Sequence, residues 1–166
     1  MLKNLVKRII KFLKLGNDLE SMRKAILTGV SASVILYVLW TISVISGYEI
    51  IIGSFGASIF LVLVAPKVEF SQPKNLMGGH LITALVGLTT FYFLGPEFWA
   101  LTISLGLSVT AMQVLRVSHP PAASNPLIIY ASAPDWTSFL IPTLVGALIL
   151  GGSAHILHKT ILYPKY

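Results

Sequence analysis

Four long runs of apolar residues constrain this chain more than any other feature. They cover residues 25–46, 77–94, 98–115 and 137–157. A helix rises about 1.5 Å per residue, so a run of about 20 apolar residues crosses the hydrocarbon core of a bilayer. Since 55% of all residues are hydrophobic and only 11% are charged, little sequence remains for a soluble domain. The fold is therefore predicted to be all-α, a polytopic membrane helix bundle.

Two shorter apolar segments, residues 50–65 and 120–134, lie between the long runs. Each is interrupted by glycine or proline, so each is marginal as a simple spanning helix. The order long, short, long occurs in residues 25–94 and again in residues 98–157. This order predicts an inverted repeat of three plus three segments. Six crossings fit the pattern, and so do four crossings with two re-entrant segments.

The connections between the apolar segments alternate in charge. Because cytoplasmic loops carry the excess of Lys and Arg, both chain ends are predicted to be cytoplasmic, in a prokaryotic inner (plasma) membrane. The lipid bilayer is then a predicted partner of the chain. In chain order the charged residues are Glu49, Lys67 with Lys74, Glu97, Arg116, Asp135, and Lys159 with Lys165.

Five cations fall within the first fifteen residues, among apolar side chains at helical spacing. That pattern predicts an amphipathic basic helix on an anionic membrane surface, so nucleic acid is not a predicted partner despite the net charge of +6. Residues 1–24 are assigned to this helix and a linker, 25–158 to the transmembrane domain and 159–166 to a short cytoplasmic tail. Small residues recur at every fourth position in the long runs, which predicts close helix packing and a homo-oligomer, either a dimer or a trimer.

The two interrupted segments are the predicted binding site. Paired broken segments in matching positions of two halves indicate a transporter's site, and a helix that starts inside the membrane attracts a small anion. The predicted substrate-binding residues are Phe55, Gly56, Ala57, Ser58, His119, Pro120, Pro121, Ala122, Ala123, Ser124 and Asn125.

Three further residues, Asn75, His80 and Arg116, are candidates for gating or proton coupling. His80 can equally be an interfacial residue that caps a backbone carbonyl, and Arg116 can equally reach toward lipid head groups. The chain has no cysteine, no nucleotide-binding loop and no visible set of nucleophile, base and metal ligands. We therefore expect no enzyme activity, no metal and no cofactor.

Three motifs resemble the HPP family of integral membrane proteins. They are His-Pro-Pro-Ala-Ala at residues 119–123, Phe-Gly-Ala-Ser at 55–58, and Gln-Pro-Lys-Asn at 72–75 running into Gly-Gly-His at 78–80. The resemblance implies a small multi-span membrane protein, with relatives in chloroplasts and cyanobacteria implicated in nitrite transport. The expected function is transport of a small inorganic anion, with nitrite favoured. The alternative is a membrane scaffold or sensor subunit without transport activity.

Overall fold

The structure, a computed structural model, describes residue 4, residues 19–157 and residues 159–160. Most of the predicted basic helix (residues 1–3 and 5–18) and residues 161–166 of the predicted tail lie outside the described residues. Six α-helices and two short 3-10 turns, Glu69–Ser71 and Pro120–Ser124, make up the described part, which contains no β-strand. The all-α prediction is confirmed. The helices are α1 (Leu19–Ser46), α2 (Ser54–Val64), α3 (Pro73–Leu94), α4 (Phe98–Val114), α5 (Asn125–Ser132) and α6 (Trp136–Leu157).

Helix lengths separate spanning helices from short ones. Within the described residues α1, α3 and α6 are long and apolar enough to cross a membrane. Helix α4 has 17 residues, which gives about 25 Å and places it at the lower limit for a crossing. Helices α2 and α5, with 11 and 8 residues, are too short to cross alone. The predicted contrast between long and short segments is therefore present.

Local sequence signals explain where several helices begin and end. Helix α3 begins with Pro73 after an extended Gln72 and ends at Gly95, whose φ of 84° favours glycine. Helix α6 is capped by Asp135, whose Oδ1 accepts the N–H groups of Thr137 and Ser138, each at 2.9 Å.

The cap also changes the acidity of Asp135. Hydrogen bonds from the Ser138 hydroxyl and backbone N–H lower the pKa of the Asp135 carboxyl. The cap therefore contributes fully to the free energy of unfolding above the ordinary pKa of an aspartate. That contribution is lost as the pH falls through the lowered pKa of Asp135. The cap remains charged at neutral pH.

Helix α3 lies at the centre of the bundle and packs against α4, α5 and α6. Its predicted stripe of small residues, Gly79, Thr83 and Gly87, is buried. The stripes at the same spacing on α1 and α4 are exposed instead, so they do not pack within the chain; they are Ala25, Gly29 and Ser33 on α1, and Thr102, Gly106 and Thr110 on α4. The predicted homo-oligomer stays a prediction. The buried apolar core includes Ile35, Leu39, Phe55, Leu63, Leu76, Leu88, Ile129 and Leu150.

Glycine at position 79 allows α3 to approach the segment that follows α4. A Cβ atom there would lie 2.6 Å from Cβ of His119 and 3.1 Å from the backbone oxygen of Val117. We therefore expect Gly79→Ala to lower the free energy of unfolding by about 1–3 kcal/mol, because neither neighbour can move aside freely. Gly106→Ala is the matched control, since a Cβ there meets nothing within 4 Å. Unfolding of both variants in detergent would measure the difference, and equal stabilities would contradict this packing.

Candidate functional site

The two short helices meet at their first residues. Ser54 begins α2 and Asn125 begins α5, and the Ser54 hydroxyl donates to Asn125 Oδ1 at 2.9 Å. Both residues are buried. The first residues of the two short helices thus meet inside the bundle. The positive ends of two helix dipoles therefore lie close together.

A serine joins two buried histidines beside this junction. Ser58 Oγ lies 3.0 Å from Nε2 of His80 and 2.8 Å from Nε2 of His119. All three residues have no solvent exposure. The imidazole ring centres are 5.2 Å apart, so the two rings are close neighbours. Three segments meet here: α2, α3 and the extended residue that precedes the second 3-10 turn.

The remaining ring nitrogens assign a direction to these hydrogen bonds. His119 Nδ1 lies 2.7 Å from the backbone oxygen of Phe70, which can only accept, so Nδ1 carries the hydrogen and Nε2 accepts from Ser58. Nδ1 of His80 faces the amide nitrogen of Asn125 at 3.3 Å and therefore accepts, so its Nε2 donates to Ser58. The Ser58 hydroxyl also donates to the backbone oxygen of Ser54 at 3.1 Å, so its single hydrogen is shared between that oxygen and His119 Nε2. With both rings neutral, donors can then run from Asn125 through His80, Ser58 and His119 to the Phe70 carbonyl.

Neighbouring groups hold this arrangement in place. Asn125 Nδ2 also donates to Thr83 Oγ1 at 3.0 Å, and Thr83 donates to the backbone oxygen of Gly79 at 2.8 Å. The ring of Phe55 packs edge-on against His80, with centroids 5.1 Å apart. We call Ser54, Ser58, His80, Thr83, His119 and Asn125 the histidine cluster. It contains hydroxyl, amide and imidazole groups and no residue with a fixed charge.

The structure brings some of the predicted site residues together. Ser58, His80, His119 and Asn125 belong to the histidine cluster, and Phe55 packs on it. Asn75 lies one step away, where its amide donates to the backbone oxygen of Ser118 at 3.1 Å. Asn75 therefore fixes the backbone of Ser118, the residue that precedes His119.

Other predicted residues lie apart from the cluster. Gly56 and Ala57 are exposed on the outer side of α2. The stretch from Pro120 to Ser124 forms the 3-10 turn before α5, and the Ser124 hydroxyl donates within that turn to the backbone oxygen of Pro121 at 2.7 Å. Within it Ala122 is buried, whereas Ala123 is half-buried. A role for these residues in binding stays a prediction.

Arg116 is exposed and follows the last turn of α4. Its φ of 55° is left-handed, and the N–H of Val117 bonds back to the Met112 oxygen at 2.9 Å, which closes the helix end. Arg116 thus occupies the left-handed position that ends α4. Its predicted role in gating or proton coupling stays a prediction.

Sequence reasoning missed Ser54 and Thr83 as parts of the cluster, and it missed the Phe70 carbonyl as the acceptor of the His119 Nδ1–H. Ser54 is one helical turn before Ser58, and Thr83 is three residues after His80, so helical spacing could have found both. The Phe70 carbonyl carries no signal in the sequence. The described residues hold no group of three or more His, Cys, Asp or Glu placed to bind a metal.

Comparisons with known proteins agree with the motifs. A family model described as "HPP, transmembrane region" matches residues 17–166. Two transmembrane proteins of Dictyostelium discoideum are each 31% identical to the chain, over 129 and 124 residues. These matches cover 71% and 70% of this chain but only 45% and 40% of the relatives, so the chain spans less than half the length of either. No solved structure matches the chain significantly.

Proposed function

The chain belongs to the HPP family of transmembrane proteins, and on that premise we propose that it transports a small inorganic anion across the membrane. The observation that carries the proposal is the histidine cluster, where the starts of two broken helices meet inside an apolar bundle. Broken helices that meet near the bilayer midplane are the usual form of a transporter's binding site. The resemblance noted in the sequence favours nitrite as the substrate.

The cluster offers donors that suit an oxygen-bearing anion. The hydroxyls of Ser54 and Ser58, the amide of Asn125 and the imidazole N–H of His80 all lie within one connected network. Each can turn from its present partner to an anion, so binding exchanges hydrogen bonds instead of creating unpaired groups. The positive ends of α2 and α5 add to the attraction.

The absence of a fixed cation in the cluster implies that a proton accompanies the anion. A lone negative charge inside the bundle would be costly, and no cluster residue is a lysine or arginine that could compensate it. A proton taken up by His80 or His119 would make the loaded site neutral. Lys67, Glu69 and Arg116 in the nearby connections, and Lys74 in the first turn of α3, are exposed. We therefore infer electroneutral transport, with one proton moving in the same direction as each monovalent anion.

The orientation of the chain is part of the proposal. Lys67 and Lys159 line one cleft, so the connection between α2 and α3 lies at the same end as the end of α6. At the opposite end Tyr92 stacks on Trp136, next to the acidic connection that contains Asp135. Basic and acidic connections are thus separated, and we assign the basic end to the cytoplasm of a cell with an inner (plasma) membrane.

A serine beside a histidine also raises the question of hydrolysis, which the geometry disfavours. Ser58 lies inside α2, where backbone N–H groups are bonded within the helix and cannot form an oxyanion hole. We therefore keep the proposal that the protein is not an enzyme.

The deciding experiment is nitrite uptake into proteoliposomes that contain the purified protein. Uptake should saturate, rise when the interior is made alkaline, and stay unchanged when a membrane potential is imposed at equal pH. Nitrate, formate and chloride serve as competitors and should inhibit less than unlabelled nitrite. Uptake driven by potential alone would contradict proton coupling. No uptake of any anion would contradict transport and favour the scaffold or sensor subunit.

A further inference from the structure

A separate cleft of about 380 Å³ lies at the basic end of the bundle. It is bounded by the connection between α2 and α3 on one side and by the last turns of α6 on the other. Its floor is apolar and includes Val62, Leu76 and Ala154. Its rim is basic and carries Lys67, His155 and Lys159. An apolar floor with a cationic rim fits an amphiphilic anion.

We propose that this cleft binds the head group of an anionic phospholipid from the surrounding leaflet. Basic recesses between transmembrane helices on the cytoplasmic side are suited to anionic lipid head groups. Lys67 and Lys159 approach from two different segments, so together they can hold one phosphate, while the floor receives the first carbons of the acyl chains. Gln72 and Pro73, at the start of α3, also line the cleft and add a positive helix end.

The proposed lipid would act on the histidine cluster through one connection. The Ser71 hydroxyl lines the cleft and ties the connection to the end of α2 by bonds to the oxygens of Ala65 and Leu61, at 2.6 and 3.2 Å. The preceding residue, Phe70, supplies the carbonyl that accepts the Nδ1–H of His119 at 2.7 Å. A lipid held between Lys67 and α6 would therefore stabilise the segment that orients His119.

The test compares phosphatidylglycerol with phosphatidylcholine, added to the purified full chain in neutral detergent. Native mass spectrometry counts bound lipid, and thermal unfolding measures stabilisation. The wild type should bind phosphatidylglycerol selectively and melt at a higher temperature with it. The double variant Lys67→Gln with Lys159→Gln should bind at least about 10-fold more weakly, because two charge-assisted bonds to phosphate are lost. Lys74→Gln is the matched control, since Lys74 lies at the start of α3 but not in the cleft.

Two results would overturn the proposal. Equal phosphatidylglycerol binding by the wild type and the double variant would show that the cleft does not hold the lipid. Equal stabilisation by inorganic phosphate or nitrite, with no added effect of phosphatidylglycerol, would make the cleft a site for small free anions instead. Neither readout depends on transport, so a failure of the lipid site and a failure of the proposed function can be told apart.

Discussion

Alanine in place of Ser58 should reduce anion uptake about 10-fold or more. The Ser58 hydroxyl is the only group that connects the two imidazoles within the histidine cluster, with Oγ 3.0 and 2.8 Å from their Nε2 atoms. Its removal takes one hydroxyl donor away from the bound anion, and a buried acceptor that is left without its donor costs about 1–3 kcal/mol. A loss of 1.4 kcal/mol in binding is already tenfold in affinity. The measurement is the initial rate of nitrite uptake in proteoliposomes.

Ser108 provides a matched control for this substitution. It is also fully buried, it lies in α4, and its hydroxyl has no hydrogen-bond partner among the described residues. Ser108→Ala should therefore leave uptake unchanged and leave stability unchanged or slightly raised. If Ser58→Ala transports as well as Ser108→Ala, with similar folding, the histidine cluster is not the anion site. If both variants lose uptake equally, the effect is one of packing and not of the cluster.

The presence of the helices was predictable because hydropathy is a local property of the sequence. The residues at which the helices begin and end were harder to predict. Helix α1 begins at Leu19, although the apolar run begins at residue 25, since Glu20, Arg23 and Lys24 continue the helix beyond the apolar region. Helix α3 begins at Pro73, four residues before its apolar run, because proline suits a first turn. Hydropathy reports which residues can face lipid, and capping residues decide where a helix starts.

The site was predictable in its segments but only partly in its residues. The Phe-Gly-Ala-Ser motif was treated as a unit, yet the period of 3.6 residues turns Phe55 and Ser58 inward and Gly56 and Ala57 outward. The hydrogen bonds of Ser58 reach His80 and His119, which lie 22 and 61 positions further along the chain. Such contacts depend on how α2, α3 and the turn before α5 pack against one another. That packing cannot be read directly from a single sequence.

Glutamine in place of His119 should remove the dependence of uptake on the pH gradient. A glutamine amide can still offer a donor and an acceptor in this position, but it cannot bind a proton near neutral pH. The ratio of uptake rates with and without an alkaline interior should therefore fall to about 1, since the proton would no longer travel with the anion. His155→Gln is the control, because His155 is exposed and lies outside the histidine cluster. It should keep the response of the wild type.

The companion variant His80→Gln distinguishes between the two imidazoles. His119 lies nearer the basic end, since its Nδ1 bonds to the Phe70 carbonyl in the connection there, whereas His80 bonds to Asn125 deeper in the bundle. A proton entering from the basic end therefore meets His119 first. Loss of the pH response in His119→Gln alone would assign the coupled proton to His119, and loss in both variants would mean that it passes along the whole chain. An unchanged response in both would contradict proton coupling, and the cluster would then hold its anion with neutral donors only.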